Sequence, residues 1–525
     1  MVIFPVIILF YFVTLSPIQN YYQRSAKRTI NYHFEESRTS EDNTRYLIIE
    51  TQNGLVQGKL TNALNKDVSV FLGIPYAEPP ISILRFKKPV RKKSWSKVWK
   101  AKYPRPPCLQ PKLSYQVPFN LWTTNLKSSE DCLYLNIWTP LKLTNHTRER
   151  KSVMIWIHGG AFTDGSSDVR YYDGTILSAF GDVVVVSFNY RLGVLGFLNL
   201  NIEQVSGNMG LYDQLLLLKW VQENIHHFGG DPNQVTIFGQ NAGAFSVGFH
   251  IISPLSRAYF NRAILQSGSP LYPQVSEDLN FYFERTNKFV RKIGCLEEDQ
   301  MLQDKPEQVL DCLQVKSAHE MVKLTEDMFE GFQPPFGAMV GNEFLPANPY
   351  EMIRDGNFSH LHDILIGSNK DEGSFFLHWT FPDLFTLDNP VNFTQREISS
   401  LVLEAFRSLP PPGPKLISHF FIPSNLTDSA MLRKTFYNII GDFIIVCPTI
   451  FFAEQMALRN IPVYYYHFTH RPSNSPWGEW MGVSHFDEVQ FVFGVPFSTP
   501  HFYTKQELEL SARIMETWVT FAKTG

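Results

Sequence analysis

Residues 235–245 read "VTIFGQNAGAF", and how this stretch folds decides the architecture. Val235, Thr236, Ile237 and Phe238 are β-branched or aromatic, residue types that suit a strand. Gly239 and Gly243 bracket a tight turn centred on Asn241, and small residues follow it. Strand, Gly-x-x-x-Gly turn and helix make a sharp elbow that lifts one side chain above the end of a parallel sheet. That side chain is ordinarily a serine, whose oxygen attacks an ester. Here it is the carboxamide of Asn241, so the stretch marks a site for acyl transfer without its nucleophile.

The neighbouring segments carry the same pattern. "VMIWIHGG" (153–160) and "DVVVVSFNYR" (182–191) are short, nearly continuous apolar runs, as expected of central strands covered on both faces. "LIIETQNGLVQGKL" (47–60) alternates and turns at Asn53-Gly54 like a hairpin. "YDQLLLLKWVQENIHHFG" (212–229) has helical apolar spacing and ends on glycine. Strands alternating with helices predict a mostly parallel sheet with helices on both faces. The "PPPGP" at 410–414 marks a surface loop.

Charge and composition narrow the function. The net charge is -3, which leaves no basic footprint and argues against nucleic acid as a partner. The 43 Phe, 22 Tyr and 10 Trp suit a large core and would equally line a deep gorge. Residues 1–17, "MVIFPVIILFYFVTLSP", are apolar over the length of a signal-peptide core and short for a membrane span. Residues 18–44 are a polar leader and residues 45–525 a single catalytic-type domain. Four Asn-x-Ser/Thr sites, at Asn145, Asn357, Asn392 and Asn425, fit a secreted glycoprotein. Among the five cysteines, local pairing favours Cys108 with Cys132 and Cys295 with Cys312, the alternative being buried thiols. Cys447 has no evident mate.

Acyl transfer needs a nucleophile, a histidine to take its proton, a carboxylate to orient the histidine, and N–H donors for the oxyanion. In an elbow protein these come in the chain order nucleophile, acid, histidine. Gly159 and Gly160 follow a strand in "WIHGGAF" (156–162), where glycine lets the backbone approach a developing charge. Ala242, just after the elbow centre, would add another N–H. Glu372, in "GSNKDEGSFF" (367–376), is the acid candidate, and His485, in "EWMGVSHFDEVQFVFG" (479–494), the base candidate. No metal and no cofactor are expected.

The chain resembles the type-B carboxylesterases, and among them the cholinesterases, from about residue 45 to 525. The resemblance is carried by "FLGIPYAEPP", "EDCLYLNIWTP", "HGGAF", "NYRLGVLGFL", "GNMGLYDQ", "FGGDPNQVTIFG", "AILQSGSP", "NKDEGSFF" and the segment around His485, all in the family's order. It implies an α/β-hydrolase fold, with Glu372 as triad acid and His485 as base. It implies an oxyanion hole from Gly159, Gly160 and Ala242, with Ala161 as an alternative donor. It implies the disulfides Cys108–Cys132 and Cys295–Cys312, and a chain continuing past residue 525 to pair Cys447, so that the sequence in hand reads as C-terminally truncated. Trp122, ten residues before Cys132, stands where cholinesterases stack a choline ammonium. Phe375 and Phe332 match the acid's neighbour and an acyl-pocket wall, with Pro334 at a second wall position; these aromatics would serve equally as core.

The resemblance breaks at the elbow, where the family carries Glu-Ser-Ala and this chain carries Gln240-Asn241-Ala242. A carboxamide has no O–H to lose, and its nitrogen lone pair is delocalised. Asn tolerates the strained elbow backbone better than most residues. Its amide can also hydrogen-bond His485. Ser246, in the helix that follows, is badly placed as a substitute. Gln240 removes a negative charge that would favour a cationic ligand. Three readings stay open: a secreted pseudoenzyme binding a small ester or quaternary ammonium ligand; a neuroligin-like adhesion module with a cell-surface protein partner; and an active choline-ester hydrolase, either using water directly or misread at codon 241.

Overall fold

The computed structural model describes residues 46–111, 126–140, 149–276, 279–329, 333–356, 358, 363–388, 391–407 and 409–525. The expected signal peptide and leader, Trp122, Phe332, Asn145 and Asn357 therefore lie outside the described residues.

Ten strands form the path of the main sheet: β1 (Tyr46–Thr51), β2 (Gly54–Ala63), β3 (Lys66–Pro75), β4 (Tyr134–Thr139), β5 (Lys151–Ile157), β6 (Val184–Phe188), β7 (Gly230–Gln240), β8 (Arg262–Gln266), β9 (Asp363–Asn369) and β10 (Val463–Phe468). Their spatial order is β1-β2-β3-β4-β6-β5-β7-β8-β9-β10, and the two-residue strand Trp99–Lys100 pairs with β2 as an eleventh. The first strands run antiparallel. From β6 to β10 every neighbour is parallel. The expected hairpin turns where Asn53-Gly54 predicts it, pairing Thr51 with Gly54.

The near-continuous apolar runs follow from burial on both faces. Along β5, Val153, Ile155 and Ile157 enter one core while Met154 and Trp156 enter the other. On β8, Ala263 and Leu265 face the first core and Ile264 the second. The helices Met209–Asn224 and Ala242–Ile252 supply the first core, and the helix Lys505–Thr524 covers the second with Met515, Trp518 and Phe521. The stretch Ser429–Ala457 is long and apolar enough to cross a membrane, yet it is 61% buried inside the protein over its apolar window. Its mid-stretch π-turn Asp442–Val446 leads into the helix Cys447–Ala457.

The structure contains the disulfides Cys108–Cys132 and Cys295–Cys312. Cys447 is free and exposed. Asn392 and Asn425 are both exposed.

Candidate active site

The elbow lies between β7 and the helix Ala242–Ile252. Asn241 sits at φ 55 and ψ -122, a conformation most side chains avoid and Asn tolerates. Two glycines make so sharp a turn possible. A Cβ on Gly243 would lie 2.0 Å from the Ile157 carbonyl oxygen, and one on Gly239 would lie 2.6 Å from the Gly243 carbonyl carbon. The helix therefore begins hard against β5. The Asn241 N–H donates to the Gln266 carbonyl at 3.1 Å, and Phe245 N–H donates to the Asn241 carbonyl at 2.9 Å.

Glu372 and His485 reach the elbow from loops beyond β9 and β10. Glu372 follows β9 by three residues and opens the helix Gly373–Thr380. At Gly373 only a glycine fits, because a Cβ would lie 1.7 Å from the Tyr437 carbonyl oxygen. Glu372 Oε1 accepts the Asn369 N–H at 2.7 Å, and Oε2 lies 2.5 Å from His485 Nδ1. The two loops are tied together: Asn369 Nδ2 donates to the Ser484 carbonyl at 2.8 Å, and Val483 N–H donates to Asp371 Oδ2 at 2.9 Å. Glu488, fully buried behind them, accepts from Asn369 Nδ2 at 2.7 Å. Burial, then the Glu372 charge, push its carboxyl above the usual range.

The carboxamide of Asn241 spans the site. Its Oδ1 accepts the Ala161 N–H at 3.0 Å and the Gly160 N–H at 3.4 Å. Its Nδ2 lies 3.0 Å from His485 Nε2. Two N–H donors on one side match the carboxamide oxygen and put the NH₂ toward the histidine. Nε2 must then be an acceptor, and the His485 proton resides on Nδ1, facing Glu372. Gln240 Nε2 approaches the same Nε2 at 2.8 Å. Two amide donors thus compete for one lone pair.

Among the described residues the N–H donors to this oxygen are Gly160 and Ala161. Gly159 instead permits close approach: a Cβ there would sit 2.6 Å from the Gln240 carbonyl oxygen and 3.1 Å from Asn241 Cβ. Ala242 is the first residue of its helix, so its N–H is one of those left without an intrahelical acceptor. The loop is pinned by Tyr190, whose hydroxyl donates to the His158 carbonyl at 2.9 Å. Beside it stands Asp164, whose carboxyl burial pushes up to about 7.

Phe375 is buried and its ring lies 5.8 Å from the His485 ring, with Phe376 at 5.1 Å. Pro334 is buried too, and its carbonyl accepts from Gln274 Nε2 at 2.7 Å. Ser246 is fully buried and accepts from Gln214 Nε2 at 3.0 Å, turned into the core. The Gln240 contact went unread in the sequence, although its place next to the elbow centre was a signal. Among the described residues no group of three His, Cys, Asp or Glu side chains is placed to hold a metal ion.

A mostly parallel sheet, an elbow after its central strand and a histidine–carboxylate pair on later loops define an α/β-hydrolase. The chain belongs to the carboxylesterase family, whose profile matches residues 45–525. It is 37% identical over 510 residues to an acetylcholinesterase of Leptinotarsa decemlineata, covering 93% of this chain and 80% of the relative. Acetylcholinesterase-1 of Trittame loki is 38% identical over 485 residues, 91% of this chain and 86% of the relative. A cholinesterase of Mus musculus is 37% identical over 503 residues, 94% of this chain and 80% of the relative.

Proposed function

We propose that this chain is a secreted, cholinesterase-like scaffold whose ester hydrolysis is impaired and which keeps a binding site for a choline-ester-like or quaternary ammonium ligand. One observation carries the reading. The Asn241 carboxamide takes up the N–H donors of Gly160 and Ala161 with its oxygen and faces His485 Nε2 with its nitrogen. A substrate carbonyl would have to displace it from the first, and a reacting hydroxyl from the second. Asn241 offers no hydroxyl to form an acyl-enzyme. Sites that lose their nucleophile retain roughly 10³–10⁴-fold acceleration over water, far below ordinary turnover.

The ligand class follows from the cholinesterase relatives and from Trp122, whose indole face suits an ammonium group. With Gln240 neutral, that binding is weaker than it would be beside a carboxylate. Secretion is supported by two disulfides and by exposed acceptor sites at Asn392 and Asn425.

Steady-state hydrolysis of acetylthiocholine and of an aryl ester, for the parent and for Asn241→Ser, tests the reading. We expect a silent parent and a gain of about 10²-fold or more in the variant. Robust turnover by the parent, or labelling of residue 241 by an organophosphate, overturns it. Silence of both proteins, together with binding to a cell-surface protein, would replace it with the adhesion reading.

A further inference from the structure

We infer that the site hydrolyses its own elbow, converting Asn241 slowly and once to aspartate, so that residue 241 is a self-modification site. The inference rests on reading Asn241 as an occupant of otherwise intact machinery. A side-chain amide is itself an acyl compound, and this one is held as a substrate amide would be. Its carbonyl oxygen accepts from Ala161 N–H at 3.0 Å and Gly160 N–H at 3.4 Å, the arrangement that stabilises a tetrahedral oxyanion. Its leaving nitrogen stands 3.0 Å from His485 Nε2. Behind the ring, Glu372 Oε2 lies 2.5 Å from Nδ1 and steadies the imidazolium that forms during proton transfer.

The missing reactant is water. Gln240 Nε2, 2.8 Å from His485 Nε2, marks a second position from which a donor reaches that lone pair beside Asn241. A water that takes this position when the Gln240 amide swings away gives its proton to Nε2 as its oxygen bonds to Asn241 Cγ. The carbonyl electrons move onto Oδ1, facing Gly160 and Ala161. As they return, the Cγ–Nδ2 bond breaks and His485 hands the proton to nitrogen. One water is consumed, ammonia leaves, and the carboxylic acid formed at residue 241 ionises, its proton passing to the ammonia. No oxidant or co-reactant takes part. The step is slow because two amides compete with water for Nε2, and it happens once because its substrate is the chain itself.

The ordinary route to deamidation differs in its product. There the following backbone nitrogen attacks Cγ, and the cyclic imide opens largely to isoaspartate. Asn53, followed by Gly54 in the β1–β2 turn, provides a comparison site within the same chain.

The experiment ages the purified full chain in mildly alkaline buffer made with heavy-oxygen water and maps residues 53 and 241 by peptide mass spectrometry. Asn241 should become α-aspartate carrying one heavy oxygen, without isoaspartate, while Asn53 yields mainly isoaspartate. His485→Ala should slow conversion at residue 241 by about 10²-fold or more, and Glu372→Gln should slow it too, both leaving residue 53 unchanged. The second variant decides the matter should the first fail to fold. An amide that persists at residue 241, isoaspartate as its main product, or an unchanged rate in the variants overturns the inference. Ester turnover by freshly made, amide-form protein would sink the proposed impairment instead; a silent protein whose amide persists would sink the self-conversion alone.

Discussion

The helix Ala242–Ile252 has a buried histidine at each end, and the two are built differently. At its start, His485 has a carboxylate behind it, with Glu372 Oε2 at 2.5 Å from Nδ1. In its last turn, His250 has only neutral partners: Ser256 Oγ at 2.8 Å from Nδ1 and Gln214 Oε1 at 3.0 Å from Nε2. Burial pushes the His250 imidazole down to about 3, so it stays neutral throughout the physiological range and serves as packing. Burial alone does not equip a histidine for proton transfer; a third group does. The first end retains that group although Asn241 puts no hydroxyl at the elbow.

The largest effect on this contrast is expected from His250→Ala. It leaves Gln214 and Ser256 without their ring partner and opens a cavity, at a cost of about 2–4 kcal/mol in denaturant unfolding near pH 8. The sign of its pH dependence follows from the depressed value. A group lowered from 6.5 to about 3 stabilises the fold above its unfolded value and loses that contribution as pH falls. The gap between parent and variant should therefore narrow from pH 6.5 toward 3. A constant gap would mean that His250 is not held neutral.

At the other end, Gln240→Met added to Asn241→Ser removes the remaining amide from His485 Nε2 without changing side-chain length. We expect kcat to rise about tenfold over Asn241→Ser alone, with KM little changed, because the freed lone pair acts in proton transfer. A rise in KM with unchanged kcat would instead place Gln240 in ligand binding. A further test is Asp164→Asn, beside the loop that carries Gly160 and Ala161. Burial raises this carboxyl from 3.8 to about 7, so its favourable contribution is complete below 3.8 and lost as pH rises through 7. The variant should match the parent near pH 4 and be the more stable of the two at pH 8, the difference opening as pH rises from 3.8 through about 7. Equal stability at both pH values would show that the carboxyl is better solvated than its position implies.

Much of this was legible in the chain. The both-face apolar runs predicted β5 and β6, because the side-chain period of a strand is two and both faces are buried, and the β-branched and aromatic residues 235–238 predicted β7. Gly239 and Gly243 predicted the elbow because only glycine lets that helix start against the Ile157 carbonyl. Candidate partners for the elbow were readable from their order along the chain. Which N–H groups meet the elbow side chain was less so: Gly159 and Gly160 look alike in sequence, and only the fold sets the N–H groups of Gly160 and Ala161 against Asn241.

The sequence by itself determined that a carboxamide stands at the elbow and therefore that no hydroxyl is there to attack. That is a matter of covalent chemistry, independent of folding. Only the tertiary structure decided what the carboxamide does. Its oxygen meets N–H groups some 80 residues before it and its nitrogen meets a ring 244 residues after it. Hydrogen bonds depend on ångström distances between loops that only the packed sheet brings together.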